Sequence, residues 1–203
     1  LINEGVSKSK IEFVGNIMID TLESNSKIAS NLIIKEIVKD NLIEAQNINL
    51  LDVFKKLKFP FALMTMHRPS NVDQKEILEP IISFLIDEVS LDMPIIWPIH
   101  PRTQNKLQQF GLWENIIFND NLILLNPLGY HEMLKLNMEA KIMLTDSGGL
   151  QEECTVLGTP CLTLRWNTER PITLRENGGA SVLVGNNILR IREEYKNTLK
   201  LKR

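Results

Sequence analysis

Cysteine is scarce in this chain: Cys154 and Cys161 are the two among 203 residues. Domains that rely on disulfides carry many more, so a disulfide scaffold is excluded, and two reduced thiols in a core are expected. Charge of one sign is lacking too. A net charge of -2 leaves no electrostatic footprint for nucleic acid. Aromatic residues make up 6% of the chain and do not alternate with basic ones, so no platform for stacking bases is expected either. No apolar window approaches the roughly 20 residues of a membrane span. The first ten residues have no apolar stretch behind them that would make a signal peptide, and a cytoplasmic location is expected. The chain opens at Leu1 rather than at methionine, so an upstream part, with any targeting signal in it, stays open. Internal repeats, low-complexity tracts and long linkers are missing as well. What remains, 43% hydrophobic and 24% charged residues, is an ordinary globular composition, and the length buries a core without metal or disulfides.

Within that composition, short apolar runs alternate with stretches of helical spacing. Residues 11–14 are β-rich and closed by Gly15 and Asn16, while 17–39 and 48–58 carry apolar positions at helical spacing. Residues 61–66 are almost continuously apolar, as in a strand buried on both faces. The same reading predicts strands over 94–99, 122–125, 142–145, 160–164 and 181–184, and helices over 74–88, 102–110, 130–139, 150–157 and 188–199. Pro98 points to a sheet edge or a strand end, and the polar segment 40–49 reads as a loop between helices. Such alternation predicts a single α/β domain, a mostly parallel sheet wound on both faces by helices. Right-handed crossovers then bring the strand C-termini to one edge, where ligands bind in such sheets.

Four strand ends carry residues that suit an anionic, hydroxyl-rich ligand. Thr145-Asp146-Ser147-Gly148-Gly149-Leu150-Gln151-Glu152-Glu153 follows a strand and opens a helix. Its two glycines permit close backbone approach, and the free N–H groups and positive end of the helix favour a phosphate. Ser147 adds a hydroxyl, and Glu153, further along the helix, can accept hydrogen bonds from a ribose diol. The plainer reading is an N-cap at Asp146 or Ser147 and a tight turn. The segment matches neither a Walker A loop nor the G-x-G-x-x-G fingerprint. Met66-His67-Arg68-Pro69-Ser70-Asn71-Val72-Asp73 follows another strand and supplies a proton-exchanging imidazole and an anion-clamping guanidinium. Ile99-His100-Pro101-Arg102-Thr103 repeats that pairing with Pro101 near a helix start. Arg165-Trp166-Asn167-Thr168-Glu169-Arg170-Pro171 offers Arg170 at the same edge. Taken singly, the His67-Arg68 segment also reads as a satisfied surface histidine beside a salt-bridged arginine, and the Arg170 segment as an exposed loop with solvated charges. His131 sits in a helix beside Glu132 and reads as solvated. The histidines and cysteines make no metal-ligand spacing.

At these residues the chain resembles the UDP-N-acetylglucosamine 2-epimerase family, above all its non-hydrolysing bacterial and archaeal type. GNIMID at 15–20, TMHRPSNVD at 65–73, IHPRT at 99–103, NPLGY at 126–130, TDSGGLQEE at 145–153, LGTP at 157–160 and LRWNTERP at 164–171 run in the family's order, and the resemblance extends from Gly15 to Gly185. It implies one half of a GT-B arrangement, in which two Rossmann-like domains face a cleft. Residues 1–203 would be the C-terminal, UDP-binding domain, with an N-terminal domain supplied in cis. Ser147, Gly148 and Gly149 would hold the diphosphate together with Arg170, and Glu153 the ribose. Leu128 and Met133 would fall at the uracil, held largely through backbone. His67 would be the catalytic histidine of the cleft. Arg68 and His100 would line a second, regulatory UDP-sugar site.

The implied partners are UDP-N-acetylglucosamine and UDP, with neither nucleic acid nor membrane, and with no metal or cofactor. The implied reaction inverts C2 of the sugar in cell-surface polysaccharide precursor synthesis. A base removes the C2 proton as UDP leaves C1, the resulting 2-acetamidoglucal is reprotonated on the other face, and UDP adds back. Family members pair as homodimers, chiefly through the N-terminal domain, which also carries the acid/base carboxylates. Two departures stand out: Ser70 where the family has glutamate after the His-Arg pair, and Ile172 where it has glutamate after TERP. Three rival readings stay open: a hydrolysing epimerase that releases UDP and N-acetylmannosamine, a UDP-binding remnant without chemistry, and a GT-B glycosyltransferase domain, against which the HR and TERP segments speak.

Overall fold

The computed structural model describes residues 1–12 and 14–200. Six strands form one sheet: β1 Ala62–Thr65, β2 Ile95–Pro98, β3 Leu122–Leu125, β4 Ile142–Thr145, β5 Cys161–Thr163 and β6 Ser181–Leu183. Their order is β3-β2-β1-β4-β5-β6, and every neighbouring pair is parallel. The expected α/β domain with a parallel sheet is therefore observed, and the winding reverses between β1 and β4, where such sheets open a crevice. The helices are α1 Ile17–Ser30, α2 Ile34–Asn41, α3 Leu50–Lys56, α4 Pro69–Val72, α5 Lys75–Phe84, α6 Ser90–Asp92, α7 Pro101–Gln109, α8 Trp113–Ile117, α9 Tyr130–Glu139, α10 Gly148–Leu157 and α11 Ile188–Lys200, with a π turn at Leu85–Val89 joining α5 to α6. Among the described residues no helix is long and apolar enough to cross a membrane.

Alternation along each strand sends successive side chains to opposite faces. Met64, Trp97, Leu124 and Leu144 meet α5, α7, α8 and α11 through Leu78, Ile82, Leu107, Ile116, Ile191 and Tyr195. Leu63, Ile96, Ile123 and Met143 meet α2, α3, α9 and α10 through Val38, Val53, Leu136 and Cys154. Leu22 and Ala29 then seat α1 on Leu134 of α9. Each fully buried aliphatic side chain contributes about 1.5–3 kcal/mol, and a one-residue register slip would exchange the two layers. Cys154 and Cys161 are both free and buried in the second layer, as expected.

Local signals set the ends of these elements. Asn16 caps α1 by accepting from Met18 N at 3.0 Å. Pro101 sits at the first position of α7, where its missing N–H costs nothing. Gly158 ends α10 in the left-handed region at φ 71. Pro98 closes β2, an interior strand, so the strand-end alternative holds and the edge alternative does not.

Four expectations shift. Ile11, Glu12 and Val14 lie in no strand, and Phe13 is outside the described residues. Glu12 and Val14 are exposed, so no layer covers these two positions to favour pairing. The helical stretch 17–39 breaks at 31–33 into α1 and α2. The short α4 and α8 form where no helix was predicted. Finally, the polar loop 42–49 lies against the outer edge of β3. Ile43 N donates to Leu124 O at 3.0 Å, and buried Gln46 donates to Leu122 O (2.5 Å) and accepts from Leu124 N (2.9 Å). That loop satisfies backbone groups an edge strand would otherwise expose.

Candidate active site

Thr65 and Thr145 are register partners at the ends of β1 and β4, with Oγ1 atoms 2.7 Å apart. The residues that follow them therefore emerge side by side. Asp146 is fully buried there. Its Oδ2 accepts from His67 N (3.0 Å), Arg68 N (2.8 Å) and Asn71 Nδ2 (3.0 Å), and its Oδ1 lies 3.0 Å from His67 Nδ1. Asn71 Nδ2 also donates to Leu164 O at 2.9 Å, and Arg68 Nε to Asp146 O at 2.7 Å. The Asp146 carboxylate thus ties the turn after β1 to the one after β4, and the Asn71 amide extends the tie to Leu164 after β5.

The charges follow from this wiring. Burial pushes the Asp146 carboxyl up, but bonds from the His67 ring and from the Arg68 and His67 N–H groups outweigh it, so the carboxyl lies below its ordinary range. The bond to Asp146 raises His67 against the opposing effect of burial. Because Nδ1 is held, Nε2 is the nitrogen left for proton exchange, and the ring is 40% exposed, enough to be reached. His100 caps α7, its Nδ1 accepting from Arg102 N at 3.1 Å, and its ring centroid lies 5.3 Å from that of His67.

Beside these rings is a cleft of about 320 Å³ lined by His67, His100, Leu128, Gly129, Tyr130, Met133, Ser147 and Leu150, among others. Its apolar side chains and the turn before α9 suit a flat, weakly polar ring. A larger cavity, about 510 Å³, opens at the other end of the sheet beside Pro60, Pro94, Asn121 and Lys141 and contains none of these residues.

Gly148 and Gly149 head α10, and their N–H groups are among those a helix leaves without internal partners. Ser147 caps it weakly, accepting from Leu150 N at 3.5 Å. A Cβ on Gly148 would collide with Arg170 Nη1. Arg170 is held over the helix start by Glu152, Nε to Oε1 at 2.9 Å, and by Glu169 at Nη1. Asn16 Nδ2 reaches the same Glu152 oxygen at 3.0 Å. Glu153, one residue further, is 7% exposed. Burial pushes its carboxyl up to about 7, with the Asn137 amide opposing and the Glu152 charge adding to the rise. Burial first, then the Glu153 charge, also raises Tyr130.

His67, His100, Leu128, Met133 and Ser147 thus share one cleft, and Gly148, Gly149 and Arg170 gather at the adjoining helix start. Glu153 stands one turn along that helix. Arg68 turns back to the Asp146 carbonyl, while His100 lines the cleft with His67 and Arg68 is not among its lining residues. Ser70 and Ile172 are exposed. His131 is half-buried and not merely solvated, because its Nε2 meets Asn25 Oδ1 at 2.7 Å and ties α9 to α1. Sequence reading gave no site role to Asp146, Asn71, Glu152 and Asn16. For Asp146 the signal was present: an acidic residue at a strand end on the edge that carries His67.

The family model described as UDP-N-acetylglucosamine 2-epimerase matches residues 1–203. A UDP-N-acetylglucosamine 2-epimerase of Methanocaldococcus jannaschii is 38% identical over 190 residues, covering 92% of this chain and 47% of the relative. A Methanococcus maripaludis homolog of that enzyme is 42% identical, covering 95% and 48%. The solved M. jannaschii enzyme in complex with UDP-GlcNAc and UDP superposes with a TM-score of 0.82 at 35% identity, over 99% of this chain and 51% of that one. The chain spans about half the length of the relatives it matches. With a family match along its whole length and a parallel sheet shared with one half of a solved member, the chain belongs to the UDP-N-acetylglucosamine 2-epimerase family.

Proposed function

We propose that residues 1–203 are the C-terminal, UDP-binding domain of a cytoplasmic, homodimeric UDP-N-acetylglucosamine 2-epimerase that interconverts UDP-N-acetylglucosamine and UDP-N-acetylmannosamine. One observation carries this reading: the His67–Asp146 pair and the Arg170-covered start of α10 emerge from neighbouring strand ends. The diphosphate lies on Gly148 and Gly149 under Arg170, where N–H groups, helix dipole and guanidinium stabilise the charge that develops as UDP leaves C1. Leu128 and Met133 flank the uracil, and Glu153 accepts from the ribose diol. His67 Nε2 moves a proton at the sugar, and Asp146 fixes the ring and favours its protonated form. One imidazole serves one face of C2. The carboxylates that serve the other belong to an N-terminal domain joined in cis.

Glu153 supplies the test. A ribose diol bonds best to an ionised carboxylate, yet burial holds this one near pH 7. UDP binding should therefore expel its proton and tighten as the pH rises from 6 to 8. Calorimetry should show UDP binding to the chain, with UDP-N-acetylglucosamine no more than about tenfold tighter, since roughly 1.4 kcal/mol is credited to a sugar touched by one domain. In Glu153→Gln the affinity should drop and the part of the pH dependence beyond UDP's own ionisation should vanish. A folded sample that binds no UDP would refute the site.

A further inference from the structure

Arg165 leaves β5 toward the same helix start. Its Nη1 lies 3.2 Å from where a Cβ on Gly148 would sit, beside Arg170 Nη1. That Nη1 is buried and has no hydrogen-bond partner among the described residues, and the side chain as a whole is 11% exposed. A buried cationic N–H group without an acceptor is costly, and such a group calls for an acceptor that a water, an ion or a ligand supplies. The other face of the guanidinium is occupied. Arg165 Nη2 donates to Glu169 Oε2 at 2.7 Å, while Glu169 Oε1 takes Arg170 Nη1. A single carboxylate, itself 56% exposed, therefore bridges both arginines above the N-terminus of α10. Two guanidiniums and a helix start around two oxygens is the coordination a phosphate would receive.

We propose that Arg165 is a second arginine of the diphosphate site, and that Glu169 is a built-in latch that holds the anion position until a diphosphate displaces it. The inference rests on the proposed UDP site. The bond from Arg165 holds the Glu169 carboxyl down to about 2, so the latch stays charged throughout the neutral range. Opening it needs only a rotation of an exposed side chain, and both arginines remain in place for the incoming anion. Glu152 keeps Arg170 anchored through Nε meanwhile.

Titration of the chain with inorganic pyrophosphate, UDP and uridine separates this proposal from the reading beneath it. Glu169→Gln removes the competing charge and should tighten pyrophosphate and UDP by about twofold to fivefold, the upper part of the range expected for exposed ion pairs, with uridine unchanged. Arg165→Gln should weaken both anions by about tenfold or more, and Arg165→Lys, which keeps the charge but loses the fork, should fall between. Unfolding curves check that each variant is folded, and if Arg165→Gln is not, Glu169→Gln decides alone. Pyrophosphate binding that Glu169→Gln weakens or leaves unchanged would overturn the latch, whatever UDP does. Pyrophosphate binding that tightens while the chain ignores UDP and uridine would uphold the latch and sink the nucleotide reading.

Discussion

Asp146 does more for the site than the histidine that first draws attention. It accepts three N–H groups and faces one ring nitrogen while fully buried. Asparagine at this position has nearly the same shape but only one acceptor oxygen, and its amide would point donors at donors. Asp146→Asn should therefore cost about 3 kcal/mol of stability, read by urea denaturation. The His67 pKa should fall back from its raised value toward or below 6.5, read by NMR titration of the ring. The sign of the linkage follows from the two shifts. His67 is raised, so its contribution is complete below its ordinary value and fades as pH climbs through the raised one. Asp146 is lowered, so its contribution holds above its ordinary 3.8 and fades as pH drops through the lower value. The wild type should exceed the variant by most at pH 5 to 6. His67 was legible in the sequence because it follows an apolar run. Asp146 carried the same strand-end signal more weakly, because a cap residue before a helix explains the same letter.

At the scale of elements, the start of α10 sets two effects against each other. Alanine at position 148, the first residue of the helix, gains some helix propensity over glycine, less than the ~1 kcal/mol of a helix interior. The same methyl collides with Arg170 Nη1 and crowds Arg165. The arginines are flexible and partly exposed, so they give way and the fold survives. Gly148→Ala should melt within about 1 kcal/mol of the wild type, yet bind UDP at least about tenfold more weakly, because close approach to the backbone N–H groups is lost. Calorimetry beside a thermal melt reads both. The elements themselves were largely legible: periodicity and turn residues located every strand of the sheet. The loop at 42–49 was not, since its polar letters match a solvated loop and only the open edge of β3 explains why Gln46 is buried.

For the whole molecule, across the described residues, the site elements lie on one edge. His67, the α10 start and the apolar slot all lie along the C-terminal edge of one sheet, and the relatives are about twice as long as this chain. Moving a proton at C2 requires a base within hydrogen-bond reach on each face, and expelling UDP requires that water be kept out. The chain assayed alone should therefore neither epimerise nor hydrolyse UDP-N-acetylglucosamine at a useful rate. NMR in deuterated water should show no catalysed exchange at C2. Joined to an N-terminal domain it should gain that exchange, and His67→Ala should then reduce it sharply. Robust exchange by the chain alone would show the catalytic groups to be misplaced.

The sequence by itself determined the alternation of strands and helices, the edge on which the polar residues emerge, and the family. All of these rest on periodicity and local motifs that neighbouring residues specify. Only the tertiary structure decided which strand ends touch. The order β3-β2-β1-β4-β5-β6 places residues 67 and 146 in contact although 79 positions separate them, and it brings Arg165, Glu169 and Arg170 over Gly148. Those pairings depend on burial and on the winding of the sheet, which are properties of the packed chain as a whole.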